Sequence, residues 1–68
     1  MSIKTRRKLK GITQEALAKM LGVTQGAISL WELGEREPNI KIIKQMAAIF
    51  ECSIDELLCS DDGDGDLI

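Results

Sequence analysis

Sixty-eight residues, 44% of them hydrophobic and 29% charged, allow one small globular core and no second domain. The chain has no His, no Tyr, one Trp and one Phe, which removes the commonest general base and any aromatic-lined pocket, so an enzyme is not expected. The net charge of −2 hides a division: residues 1–50 hold nine Lys and Arg against four acids, whereas residues 51–68 hold seven acids and no base.

That asymmetry fits a nucleic-acid-binding face with an acidic tail, and equally a solvated basic helix beside a solubilising tail. Cys52 and Cys59 are too few for a disulfide framework, and no signal-peptide pattern is present. No apolar run approaches the ~18 residues of a membrane span. The expectation is a small cytoplasmic protein that does not enter a membrane.

The local signals predict five helices. The first, at 2–10, carries Lys4, Arg6, Arg7, Lys8 and Lys10. The second, at 14–21, follows Thr13 as N-cap, with Ile12 and Leu17 as a hydrophobic staple. Thr24 repeats the device for a third helix at 25–32, stapled by Val23 and Ile28. Asn39 after Pro38 opens a fourth at 40–50, where Ile40, Ile43, Ala47 and Phe50 recur at helical spacing. Ser53 opens the fifth at 54–58, with Glu56 completing a capping box and Cys52 and Leu57 as staple. Gly11, Gly22 and Gly34 stand where helices should stop.

No stretch alternates like a strand, so the fold is expected to be all-α. The domain is expected over 1–59, and residues 60–68 are expected to form an acidic, disordered tail. Gly22-Val23-Thr24 must turn the chain sharply between the second and third helices, and small Ala18 lets the third approach closely. Two short helices joined by such a turn describe a helix-turn-helix.

The spacing of Arg7, Gly11, Thr13-Gln14, Leu17-Ala18, Gly22, Thr24, Ile28-Ser29, Trp31-Glu32, Gly34 and Pro38 resembles the helix-turn-helix domain of the phage repressor and Cro group, the Xre family. The resemblance covers about residues 3–58. It implies a compact five-helix, lambda-repressor-like fold that binds duplex DNA sequence-specifically, usually as a symmetric homodimer. The third helix would then lie in the major groove of an operator. With Ile28 set inward, Trp31 and Glu32 fall near it, Gly26 and Leu30 point away, and Ser29 and Ala27 lie on the flanks.

Gln25, Gly26, Ala27, Ser29 and Leu30 are therefore the base-reading candidates. A Gln amide matches the adenine N6/N7 edge, and Ala27 and Leu30 suit a thymine methyl. Gly26 departs from the polar residue usual in the family and costs about 1 kcal/mol of helix propensity relative to alanine. Arg7, Gln14, Arg36, Asn39 and Lys41 are the phosphate-binding candidates, with Lys4, Lys8, Lys10 and Lys44 as weaker ones. The family also implies an Arg7–Glu32 pair, expected as a two-point fork.

In the fifth helix Ile54, Leu57 and Leu58 are expected to supply a dimer interface, since adjacent Leu57 and Leu58 cannot both face inward. Neither cysteine has a metal-site partner, Asp62, Asp64 and Asp66 do not complete a calcium loop, and no cofactor or metal is expected. The function expected is a DNA-binding transcriptional regulator, a repressor by preference. The alternative is an antitoxin-like or adaptor module that uses its acidic end to bind a basic protein partner.

Overall fold

The computed structural model describes residues 1–59, so the tail expected at 60–68 lies outside the described residues. Its elements are α1 (Ile3–Leu9), α2 (Gln14–Leu21), α3 (Gln25–Leu33), α4 (Ile40–Phe50) and α5 (Ile54–Leu58). Short polar side chains begin the last four. The Thr13 and Thr24 hydroxyls accept from the Ala16 and Ala27 N–H groups at 3.0 and 3.1 Å. Asn39 Oδ1 accepts from the Ile42 N–H at 2.9 Å. At α5 both halves of the capping box form: Ser53 Oγ accepts from the Glu56 N–H, and Glu56 Oε1 from the Ser53 N–H. The Ser53 N–H, its hydroxyl and then nearby Arg6 hold the Glu56 carboxyl below its ordinary value, so the box keeps its charge in mild acid.

Ser2 stands before α1 but gives it no side-chain cap, and α1 is shorter than the expected 2–10. The Ser2 hydroxyl instead faces the Glu56 and Leu57 carbonyls, each at 3.1 Å, and the Ser2 N–H donates to Leu57 at 2.9 Å. Arg6 adds a bond from Nε to the Ser2 hydroxyl and one from Nη2 to the Glu56 carbonyl. A five-residue helix such as α5 is unstable alone. Here its first turn is capped from within and its last carbonyls are satisfied by the start of the chain.

The core is built from all five helices: Ile3 from α1, Leu17, Ala18 and Leu21 from α2, Ile28 from α3, Met46, Ala47 and Phe50 from α4, and Leu57 from α5. Ile12, Val23, Trp31, Ile42, Ile43, Cys52 and Ile54 pack around it. Each fully buried aliphatic side chain contributes about 1.5–3 kcal/mol, so a core this small has little to spare. Among the described residues no helix is long and apolar enough to cross a membrane.

The α2–α3 turn depends on Gly22, whose φ of 72° is left-handed. There the Val23 N–H bonds to the Ala18 carbonyl and the Gly22 N–H to that of Lys19, closing α2 in a Schellman motif. The same motif ends α4, with the Cys52 N–H on Ala47 and the Glu51 N–H on Ala48. The left-handed residue at that end is Glu51, at φ 56°, the sole non-glycine with positive φ among the described residues. Its carboxylate pairs with Lys10, whose ammonium holds the Glu51 carboxyl below its ordinary value. An exposed pair of this kind adds little stability, whereas a side chain in the left-handed region is a steady cost. Glu51→Gly should therefore raise the melting temperature by a few degrees in a circular-dichroism melt. A fall instead would mean that the Lys10 contact outweighs the backbone strain.

Candidate nucleic-acid interface

The candidate face is built on α3 and the two segments that hold it. α2 packs more extensively on α3 than on any other element. Ile28 is fully buried, and Trp31 packs against the core rather than projecting from it. On the outer side Gln25 and Gly26 are exposed, and Ala27, Ser29 and Leu30 are half-buried. Leu33, one residue beyond the expected end of the helix, is 67% exposed.

Glu32 holds three helices together. Its Oε2 accepts from Arg7 Nε at 2.8 Å and its Oε1 from Gln14 Nε2 at 2.8 Å, tying α3 to α1 and to the start of α2. The expected two-point fork is replaced by a single Arg7 contact, because Gln14 takes the second carboxylate oxygen. Arg7 Nη1 turns away to the Ile12 carbonyl at 2.9 Å, fixing the α1–α2 loop as well. The Arg7 and Glu32 side chains are only 11% and 6% exposed, and no buried side-chain polar atom among the described residues lacks a partner.

The network continues outward. Gln14 Oε1 accepts from Gln25 Nε2 at 3.3 Å, so Gln14 spans from Glu32 to Gln25. Gln25 and Glu32 are seven residues apart on α3, two helical turns, and so lie on the same side. One N–H of Gln25 is engaged by Gln14. Its Oε1 and second N–H remain as an acceptor and a donor at the surface.

The loop after α3 folds back on that helix. The Glu35 and Arg36 N–H groups both donate to the Leu30 carbonyl, at 3.0 and 3.4 Å, which brings Arg36 beside the outer turn of α3. Asn39 uses Oδ1 to cap α4 and keeps its Nδ2 donor, and exposed Lys41 follows in the first turn. The weaker basic candidates are spread out. Lys10 is occupied by Glu51, while Lys4, Lys8 and Lys44 are exposed on α1 and α4.

α5 divides the residues expected to form a dimer interface. Leu57 is fully buried in the monomer and Ile54 packs against the core, leaving Leu58, 48% exposed, as the outer side chain. Cys52 and Cys59 are free thiols, and among the described residues no group of His, Cys, Asp and Glu is placed to hold a metal. Asp62, Asp64 and Asp66 lie outside the described residues.

Two arrangements escape the sequence reading. The Gln14–Glu32 bond joins residues 18 apart, and only the seven-residue interval between Gln25 and Glu32 hints at a common partner. The Ser2–Arg6 clasp on α5 joins residues 50 to 55 apart and has one local sign, the four-residue interval from a serine to an arginine.

Comparison with known proteins places this arrangement. A family model described as helix-turn-helix matches residues 3–57. Repressor protein C2 of Salmonella phage P22 is 46% identical over 59 residues, which span 87% of this chain and 27% of that protein. The HTH-type transcriptional activator BcrR of Enterococcus faecalis is 43% identical over 53 residues, 78% of this chain and 26% of its own length. An uncharacterized HTH-type transcriptional regulator of Bacillus subtilis, YazB, is 44% identical over 55 residues, 81% of this chain and 80% of its own. This chain thus spans about a quarter of the first two relatives. No solved structure matches significantly. With five helices and no strand among the described residues, a glycine turn between α2 and α3 and a family match over almost all of them, the chain belongs to the helix-turn-helix family of transcriptional regulators.

Proposed function

We propose that this chain binds operator DNA as a homodimer, each protomer laying α3 in the major groove, and that it acts as a repressor. The observation that carries the proposal is the bonded series Arg7–Glu32–Gln14–Gln25. It fixes α1, α2 and α3 relative to one another and presents a pre-oriented amide at the start of α3. Gln25 then reads an adenine edge, with Gly26, Ala27, Ser29 and Leu30 beside it on the base-reading face. Gln14 at the α2 N-terminus and the unengaged nitrogen of Arg7 contact one phosphate. Arg36, Asn39 and Lys41 contact another. Leu58 meets its two-fold copy, setting two half-sites about one DNA turn apart.

The protein-partner alternative rests on the acids after residue 50. Glu51 is paired with Lys10 and Glu56 with its own helix start, which leaves Asp55 as the acid without such a contact among the described residues of that segment. The other four acids, Asp61, Asp62, Asp64 and Asp66, lie outside the described residues, and the DNA reading rests on the bonded series instead. Affinity measurements on selected and random duplexes test it. Gln25→Ala should relax preference at one base position by about 1–3 kcal/mol, whereas Lys41→Ala should weaken all sequences alike and lower the salt slope by about one unit. Equal losses on both duplexes for Gln25→Ala would remove α3 from base reading.

A further inference from the structure

We propose that the half-site read by this chain is specified by thymine methyl groups, which seat in a notch at Gly26 bordered by Ala27 and Leu30. The proposal rests on the reading of α3 as the groove-entering helix and goes on to name the base chemistry that this α3 selects.

The first observation is what α3 lacks. It carries no Lys, Arg, Asn or Asp, and its one carboxylate, Glu32, is engaged by both Arg7 and Gln14. Arginine or lysine on the guanine O6/N7 edge is the commonest specific contact in the major groove, and a carboxylate is the natural acceptor for cytosine N4. Neither is available from this helix. What remains to it is one amide, a half-buried serine and an apolar surface.

The second observation concerns Gly26. The glycines at the ends of α1, α2 and α3 have φ between 70° and 78°, which explains each of them. Gly26 is not among the positive-φ residues, and a Cβ built on it would meet only the Thr24 hydroxyl oxygen, at 3.9 Å, an ordinary contact. The fold has no need of glycine there, and a helix is weakened by one. Its distinctive product is a bare strip of backbone on the outer face, just inside Gln25.

The third observation is what lies beside that strip. Gly26, Leu30 and Leu33 recur at the four- and three-residue intervals of one helix face, and Ala27 adjoins Leu30. Neither Ala27 nor Leu30 is among the side chains packed on the core. A notch floored by backbone and walled by two apolar side chains excludes a hydrated polar base edge and accepts a methyl. The one methyl in the major groove of ordinary DNA is thymine C5. Arg36, held next to the Leu30 turn, supplies the positive charge that keeps the duplex against this face.

The test uses the full chain and the tightest duplex recovered from a random pool, synthesised with thymidine or with deoxyuridine at each T of a half-site. Deoxyuridine keeps the pairing and removes only the methyl. One or two positions per half-site should each lose about fourfold in affinity, the equivalent of one buried methyl. Gly26→Ala should melt at a higher temperature than the parent and should change the uracil penalty at one of those positions while leaving Gln25's adenine preference in place. Uracil tolerated at every T, or a selected half-site in which α3 meets only G·C pairs, would overturn the proposal while leaving sequence-specific binding by α3 intact. If the pool instead yields no preferred sequence, both the proposal and the reading it rests on fail.

Discussion

Replacing Glu32 with alanine should leave most of the protein unfolded at 25 °C. The Arg7 side chain is only 11% exposed, and removing Glu32 strands its Nε and the Gln14 amide together. Leaving a buried charge uncompensated costs about 3–5 kcal/mol. A single core in a domain this small supplies about 3–5 kcal/mol in total. A urea titration followed by circular dichroism reads the outcome directly, and a midpoint close to that of the parent would show the pair to be no stronger than a surface contact. The paired variant Arg7→Met with Glu32→Leu separates support from recognition. Apolar replacement of both partners should restore folding. Gln14 then loses its anchor, so Gln25 is no longer held, and discrimination between selected and random duplexes should fall while the fold persists.

The second large effect lies in α5, where neighbouring leucines should behave as opposites. Leu57 is fully buried, and Leu57→Ala should cost about 2–5 kcal/mol, enough to unfold the domain. Leu58 is 48% exposed, so Leu58→Asp should leave the monomer's melting nearly unchanged. It should abolish self-association in sedimentation and cooperativity on a two-half-site duplex, because it places like charges at the two-fold contact. A parent protein that sediments as a monomer at all concentrations and fills the two half-sites independently would dispose of the dimer.

The features legible in the sequence are those written within a few residues of where they act. Thr13, Thr24, Asn39 and Ser53 each cap the helix that follows them, and the boundaries of α2, α4 and α5 fall where those caps place them. Glu51 is different. No glycine marks the end of α4, yet Glu51 takes the left-handed turn there where α5 packs back on α4. Which leucine of α5 turns inward also required the assembled core, since a five-residue helix has too few positions to define a face.

At the candidate site the outward residues of α3 follow from helical periodicity, but the carboxylate of Glu32 has two oxygens and the sequence names a partner for only one. Gln14 was expected at a phosphate because of its place at a helix start. Its amide is also the strut between Glu32 and Gln25, a role that depends on how closely α2 and α3 approach.

The clasp of Ser2 and Arg6 on the final turn of α5 bears on how the protein is made. Synthesis delivers α1 first, yet the carbonyls that Ser2 bonds belong to residues 56 and 57, and Ile3 shares its core with Leu57. Folding therefore awaits nearly the whole domain, and the early helices leave the ribosome with nothing complete to join. A product that stops short of α5 lacks Leu57 and the carbonyls that Ser2 and Arg6 bond, so it should be cut by protease faster than the finished domain, a difference that limited proteolysis reads.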